Sequence, residues 1–407
     1  MELFNIIAIL ITLSALFGYI NHRFIRLPTT IGLMLISIVM SLALIVLGHL
    51  GLGIERKWMM VMERIDFNET LLVGMLSFLL FAGALHVNAG ELLKQKWNVG
   101  IFATFGVVVS TVLVGTLTYF VLELLGIKVG LIYCFLFGAL ISPTDPIAVL
   151  GILRRTDTPK SLEVQISGES LFNDGIGVVL FVVLLAMATG RHDVSFRSAL
   201  YLFAAETIGG GIFGLLTGWA AYKIIKSIDN YQVEILVTLS LVTGVYALAS
   251  AFGVSGPIAI VVAGLIIGNR GRELAMSEKT RQHLDMFWEL VDGILNSVLF
   301  VLIGLELFVV TVSGLYLVAA AVAIPVVLLA RSVSIGVPLR LLTFREKFDY
   351  RTLKIMTWSG LRGGIAVALA LSLPRGPERD IIITMTYVVV VFSILVQGLT
   401  FEHLVRR

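Results

Sequence analysis

Nine ionisable side chains fall inside apolar runs long enough to cross a bilayer: Asp145, Glu169, Asp174, Glu206, Glu289, Asp292, Glu306, Arg331 and Arg362. A charge at the centre of a spanning helix costs roughly 2.5–3.5 kcal/mol, so each is a candidate for handling ions or protons. The strongest pattern is Gly138-Ala-Leu-Ile-Ser-Pro-Thr-Asp-Pro-Ile147, where Pro143 and Pro146 bracket Asp145. Each proline removes a backbone donor and crowds the carbonyl four residues earlier, so the helix is predicted to break and free carbonyls near Ser142 and Thr144. A second pattern is Ser167-Gly-Glu-Ser-Leu-Phe-Asn-Asp-Gly175. Residues four apart share a helix face, which sets Ser170 one turn below Asp174 and Glu169 one turn below Asn173. Glycines at 168, 175 and 177 leave room for another helix to approach closely. A hard cation such as Na⁺ prefers oxygen, and Asp174, the Ser170 hydroxyl and the freed Thr144 carbonyl supply three ligands. The competing reading is structural, with Asp145 capping a kink and the other polar groups only joining helices.

A third pattern, Trp358-Ser-Gly-Leu-Arg-Gly-Gly-Ile-Ala366, sets three glycines around Arg362. It weakens its helix at about the depth where Pro143 and Pro146 break theirs. A matched pair of interrupted spans in two halves of a chain marks an inverted-repeat transporter. Arg362 needs a buried anion, and Glu169 is the first candidate, as a structural ion pair that holds the two spans together. Arg331, beside Ser332 and Ser334, is expected to satisfy carbonyl ends or an acid among Glu289, Asp292 and Glu306. Glu206, ahead of a glycine-rich stretch, reads as structural or cavity-facing and not as a ligand. His86 and Asn88 either line a funnel or cap a helix end.

The elements that must position these residues are membrane helices. The chain has 407 residues, of which 58% are hydrophobic and 14% charged, far from soluble averages of roughly 45–50% apolar and about 25% charged. Thirteen runs reach or approach bilayer length: about 3–20, 30–52, 69–87, 97–125, 129–152, 162–189, 198–225, 232–251, 255–268, 280–310, 314–341, 352–373 and 380–403. The first has no basic leader and no small-residue cleavage site, so it reads as a span and not a signal peptide. Of the 30 basic residues, 20 fall in one set of alternate loops and 8 in the other. The positive-inside rule therefore expects a cytoplasmic C-terminus and an external N-terminus. A net charge of +3 with dispersed Lys and Arg gives no nucleic-acid partner, and the lone Cys134 builds neither a disulfide nor a metal cluster. No His-Glu-x-x-His or Gly-x-Ser-x-Gly arrangement points to an enzyme, and no repeated carbonyl filter points to a cation channel.

Ser142-Pro-Thr-Asp-Pro146, Gly168-Glu-Ser-Leu-Phe-Asn-Asp-Gly175 and Trp358-Ser-Gly-Leu-Arg-Gly-Gly364 together resemble the sodium/proton exchangers of the first cation:proton antiporter family, and within it the short prokaryotic NhaP-type members. The resemblance covers essentially the whole chain. It implies an all-α polytopic fold of about thirteen helices, built from inverted repeats with crossed discontinuous helices. Within a single transmembrane domain it implies core bundles at about 97–189 and 314–403 and dimerisation or scaffold helices at about 3–87 and 198–310, moving by elevator-like alternating access. It assigns cation and proton binding to Asp174, with Asn173 completing an Asn-Asp pair. Ser170 and the Thr144 carbonyl become Na⁺ ligands, Asp145 a nearby water-mediated or helix-balancing carboxylate, and Glu169 with Arg362 the stabilising pair.

It further implies a homodimer in the cell membrane that takes no cofactor, exchanging Na⁺ or Li⁺ for H⁺ to expel Na⁺ and regulate pH. K⁺/H⁺ exchange is the alternative. Ending at Arg407, the chain is expected to lack a soluble regulatory tail, and His86 lies where some relatives carry an acid. Asn173 replaces the second aspartate of electrogenic relatives, so one-for-one electroneutral exchange is expected.

Overall fold

Apolar runs in lipid satisfy their backbone groups only by closing them within the segment, and the described part of every run is helical apart from two breaks. The computed structural model describes residues 3–47, 74–153, 159–190, 196–308, 313–342 and 350–406. Its membrane-depth helices are α1 (Leu3–Ile20), α2 (Thr29–Leu47), α3 (Leu76–His86), α4 (Lys96–Leu124), α5 (Leu131–Ile141), α6 (Ile147–Leu153), α7 (Lys160–Ala188), α8 (Phe196–Lys226), α9 (Tyr231–Phe252), α10 (Gly256–Ile266), α11 (Glu278–Leu305), α12 (Gly314–Leu342), α13 (Tyr350–Trp358), α14 (Gly364–Leu371) and α15 (Pro377–Val405). These follow the thirteen predicted runs, with two of them split. The outer ends of the second and third runs, and Arg56, Lys57, Arg64, Arg154, Arg155, Arg191, Arg345, Lys347 and Arg407 of the charge count, lie outside the described residues. Nine described helices are long and apolar enough to cross a membrane, while α3 and α5 are shorter apolar helices.

Local chemistry sets the ends. Asn230, Ser255 and Ser277 each accept a hydrogen bond from a first-turn N–H of α9, α10 and α11, which satisfies donors that the helix itself cannot. Gly253 ends α9 at φ 66, a left-handed conformation that glycine adopts without a Cβ penalty. Asn88 accepts from Glu91 N–H and so caps the short helix Ala89–Lys94.

Helices α4, α5 and α7 pack on one another, as do α12, α13, α14 and α15, and the two groups join through α12 on α4 and α14 on α5. Helices α1, α2, α3, α8, α9, α10 and α11 pack mainly among themselves, meeting the first groups where α7 touches α8 and α10 and where α11 touches α14. Close approach depends on missing side chains. A Cβ on Gly138 of α5 would lie 2.4 Å from the Thr111 carbonyl of α4, and one on Gly177 of α7 would lie 2.2 Å from Pro143 Cγ. The second contact is the bed on which the proline break rests. Gly177→Ala should therefore destabilise the protein by about 1–3 kcal/mol, the usual cost of overpacking, seen as a lower melting temperature in detergent. An unchanged melting temperature would show that the break can shift freely.

Candidate functional site

The fifth and twelfth runs break where their sequences demand it. Backbone between α5 and α6, Ser142–Pro146, and between α13 and α14, Ser359–Gly363, is non-helical, and the two breaks cross. Asp145 N–H donates to the Leu361 carbonyl at 2.8 Å. Arg362 Nη1 donates to the Pro143 carbonyl at 3.3 Å, and Arg362 N–H to Ser393 Oγ at 2.9 Å. Ser393 opens a π-helical turn, Ser393–Gln397, and donates in turn to Gln397 Oε1 at 2.8 Å. A widened turn of this kind is a common insertion at functional sites. Gly363 permits the crossing, since a Cβ there would fall 2.4 Å from Asp145 Oδ2.

Helix α7 lies against the first break. Asn173 Oδ1 accepts from Thr144 N–H at 3.3 Å, and its Nδ2 donates to Thr144 Oγ1 at 2.9 Å. Ser170 Oγ donates to the Thr144 carbonyl. One turn of α7 therefore replaces the helical hydrogen bonds that the prolines remove. Buried Asn173 and Ser170 are both spent on this task. Asp174 is not. Its carboxylate makes no hydrogen bond or ion pair among the described residues, lies within electrostatic reach of Asp145, and faces a cavity of about 670 Å³. Thr144, Asp145, Ser170, Asp174, His86, Asp285, Glu289, Asp292 and Asn296 all border that cavity. Of the two sequence alternatives for positions 86 and 88, His86 lines the cavity and Asn88 caps a helix.

The expected ion pair is different from the one formed. Glu169 pairs with Arg331 of α12, not with Arg362, both side chains being almost wholly buried. Arg331 Nη2 also donates to the Met356 carbonyl at 3.3 Å, tying α7, α12 and α13 together. Gly360 makes room for it, because a Cβ there would lie 2.8 Å from Arg331 Nε. The reason is a nearer acceptor. Arg362 leaves the unwound segment towards the Pro143 carbonyl, an acceptor that the break itself creates, and no Glu169–Arg362 ion pair forms among the described residues. Of the two expectations for Arg331, the carbonyl is that of Met356, while the acid is Glu169 and not one of the 280–310 run. Glu289 and Asp292 line the cavity, while buried Glu306 sits near Arg379 at the far end of α11.

The sequence reading names Glu289 and Asp292 but not the stripe of α11 that they form with Asp285 and Asn296. Their spacing of four, three and four residues is that of one helical stripe, and this signal was available. Asp285 is neutralised by Arg272, Glu289 is exposed, and Asn296 is buried.

Two spans broken at one depth and crossed, beside an unpaired carboxylate in an open cavity, define a membrane transporter of the discontinuous-helix class. The sodium/hydrogen exchanger transmembrane family model matches residues 11–407, and the chain belongs to that family, whose members are transporters and not enzymes. It is 49% identical over 408 residues to the Na⁺/H⁺ antiporter NhaP of Pseudomonas aeruginosa, covering 99% of this chain and 96% of that protein. It is 33% identical over 391 residues to the Na⁺/H⁺ antiporter NhaH of Halobacillus dabanensis, with 95% and 93% covered. Its fold matches the structure of the sodium proton antiporter MjNhaP1 of Methanocaldococcus jannaschii with a TM-score of 0.77 at 20% identity, over 100% of this chain and 99% of that one.

Proposed function

We propose that the chain exchanges Na⁺ or Li⁺ for H⁺ and that the two compete for Asp174. The observation that carries this reading is a carboxylate with no partner among the described residues, at a cavity wall, beside a helix break. A group that takes either a proton or a cation couples two fluxes. Each loaded form is neutral, and the bare charge is costly to carry past an apolar barrier. The Ser170 hydroxyl keeps lone pairs while its O–H donates to the Thr144 carbonyl, and that carbonyl keeps its second lone pair. Both oxygens thus remain available to a cation at Asp174. Asn173 holds Thr144 from both ends of its amide and does not titrate, so it positions the binding segment. Asp145 acts through water or by balancing the ends of the broken helices.

The excess of 20 basic residues over 8 assigns the C-terminus to the cytoplasm and the N-terminus to the outside. With that orientation the cavity, bordered by His86 and Asp285, opens to the cytoplasm of a cell membrane from which Na⁺ is expelled. A second copy of the chain is expected to join through the scaffold helices.

The deciding experiment is proton flux in proteoliposomes with Li⁺, Na⁺ and K⁺ added in turn. Flux with Na⁺ and Li⁺ supports the proposal, flux with K⁺ alone would transfer it to K⁺/H⁺ exchange, and none would sink it. One competing carboxylate per protomer also makes the cycle electroneutral. Clamping the membrane potential with K⁺ and valinomycin should leave the Na⁺-driven flux unchanged. The apparent Na⁺ affinity should weaken about tenfold for each pH unit below the pKa of Asp174, the slope of one linked proton. A voltage-dependent flux, or a slope near two decades, would mean that a second proton moves.

A further inference from the structure

The cavity holds more binding chemistry than exchange at Asp174 uses. Along the cavity stripe of α11, Asp285 is paired with Arg272 and Glu289 is exposed to solvent. Asp292 lies deeper, makes no ion pair among the described residues, and is close enough to the Asp145 carboxylate for the two to repel. Asn296 follows one helical turn deeper, on the same face. Its side chain is 3% exposed and borders the cavity. Its amide N–H donates towards the Asp292 carboxylate, while its Oδ1 has no hydrogen-bond partner among the described residues. A buried amide oxygen left without a donor is rare in folded proteins and calls for a ligand.

We propose that Asp292 and Asn296 of α11, facing Asp145 across the cavity, form a second monovalent-cation site, a waiting position ahead of Asp174. The site offers one amide oxygen and two carboxylates, a hard oxygen set suited to Na⁺ or Li⁺. A cation there relieves the repulsion between Asp292 and Asp145 and gives the Asn296 Oδ1 a partner. It also stands where α11 faces the broken helix that carries Asp145, so the ion passes from one to the other without leaving the cavity. This rests on the exchange reading above, but its test is separable from it.

Equilibrium binding of ²²Na⁺ to the purified full chain should find two ions per protomer. Asp174→Asn should leave one ion, and so should Asn296→Leu, which keeps the branched shape and removes the oxygen. Asn296→Asp, which restores an oxygen ligand, should return the count to two. In proteoliposomes Asn296→Leu should raise the apparent KM for Na⁺ about tenfold, the low end of what electrostatic focusing supplies, while kcat stays nearly constant. One ion in the unmodified protein, or equal losses in the Leu and Asp variants, would overturn the second site. If Asn296→Leu does not fold, Asp292→Asn carries the same count. Absence of any Na⁺-driven proton flux in the unmodified protein would instead sink the exchange reading, whatever the ion count.

Discussion

Asp174→Asn is expected to abolish Na⁺-dependent proton flux, down to the level of protein-free liposomes, while the protein still purifies as a folded species. The amide keeps the volume of the carboxylate and loses both the proton site and the negative charge. Because Asp174 makes no hydrogen bond or ion pair among the described residues, no partner is orphaned by the change. Removing a charge held away from bulk water relieves a desolvation cost. The variant should therefore melt no lower than the parent protein. Activity and stability part company here, which is the mark of a functional and not a structural group. Exchange that survives in a folded variant would remove Asp174 from the centre of the mechanism. A large drop in melting temperature would instead give it a structural role.

The second large effect concerns stability. Glu169 and Arg331 form a buried pair that joins α7 to α12, with Arg331 also holding the Met356 carbonyl of α13. Removing one partner leaves an uncompensated buried charge, at a cost of about 3–5 kcal/mol. Glu169→Gln and Arg331→Met should each lower the melting temperature more than Asp174→Asn does. The double variant should cost clearly less than the two singles together, because contacting residues are not additive. A parallel cycle between Glu169 and Arg362 should show the smaller coupling, since Arg362 donates to the Pro143 carbonyl and its backbone to Ser393. Equal couplings in the two cycles would mean that both guanidiniums share one carboxylate. Additive losses in the Arg331 cycle would mean that the contact contributes nothing net.

Much of this was written in the chain itself. Lipid leaves a spanning segment no backbone partner except its own, so apolar runs become helices wherever they occur. The same rule makes Pro143, Pro146 and the glycines around Arg362 decisive, because their effect on the backbone is local and needs no neighbour. Both breaks stand where those residues lie. The one-turn spacing of Ser170 and Asp174 likewise followed from helical periodicity.

What periodicity cannot do is choose among partners on different helices. Glu169 and Arg331 are 162 positions apart, and nothing in either stretch specifies the other. A long guanidinium reaches any acceptor within its radius, so the winner depends on how the helices pack and on where Gly360 leaves space. For Arg362 the expected acid gives way to a carbonyl that its own site offers. That carbonyl is free only because Pro143 belongs to a broken helix lying across it. The α11 stripe shows the same division. Its spacing is visible in the sequence, but only the tertiary structure turns Asp292 and Asn296 towards Asp145 and away from lipid. The sequence thus determined the helices, their interruptions and the carboxylates at membrane depth, all properties of segments. The tertiary structure decided the pairing of charges and the walls of the cavity, which depend on side chains meeting across helices far apart in the chain.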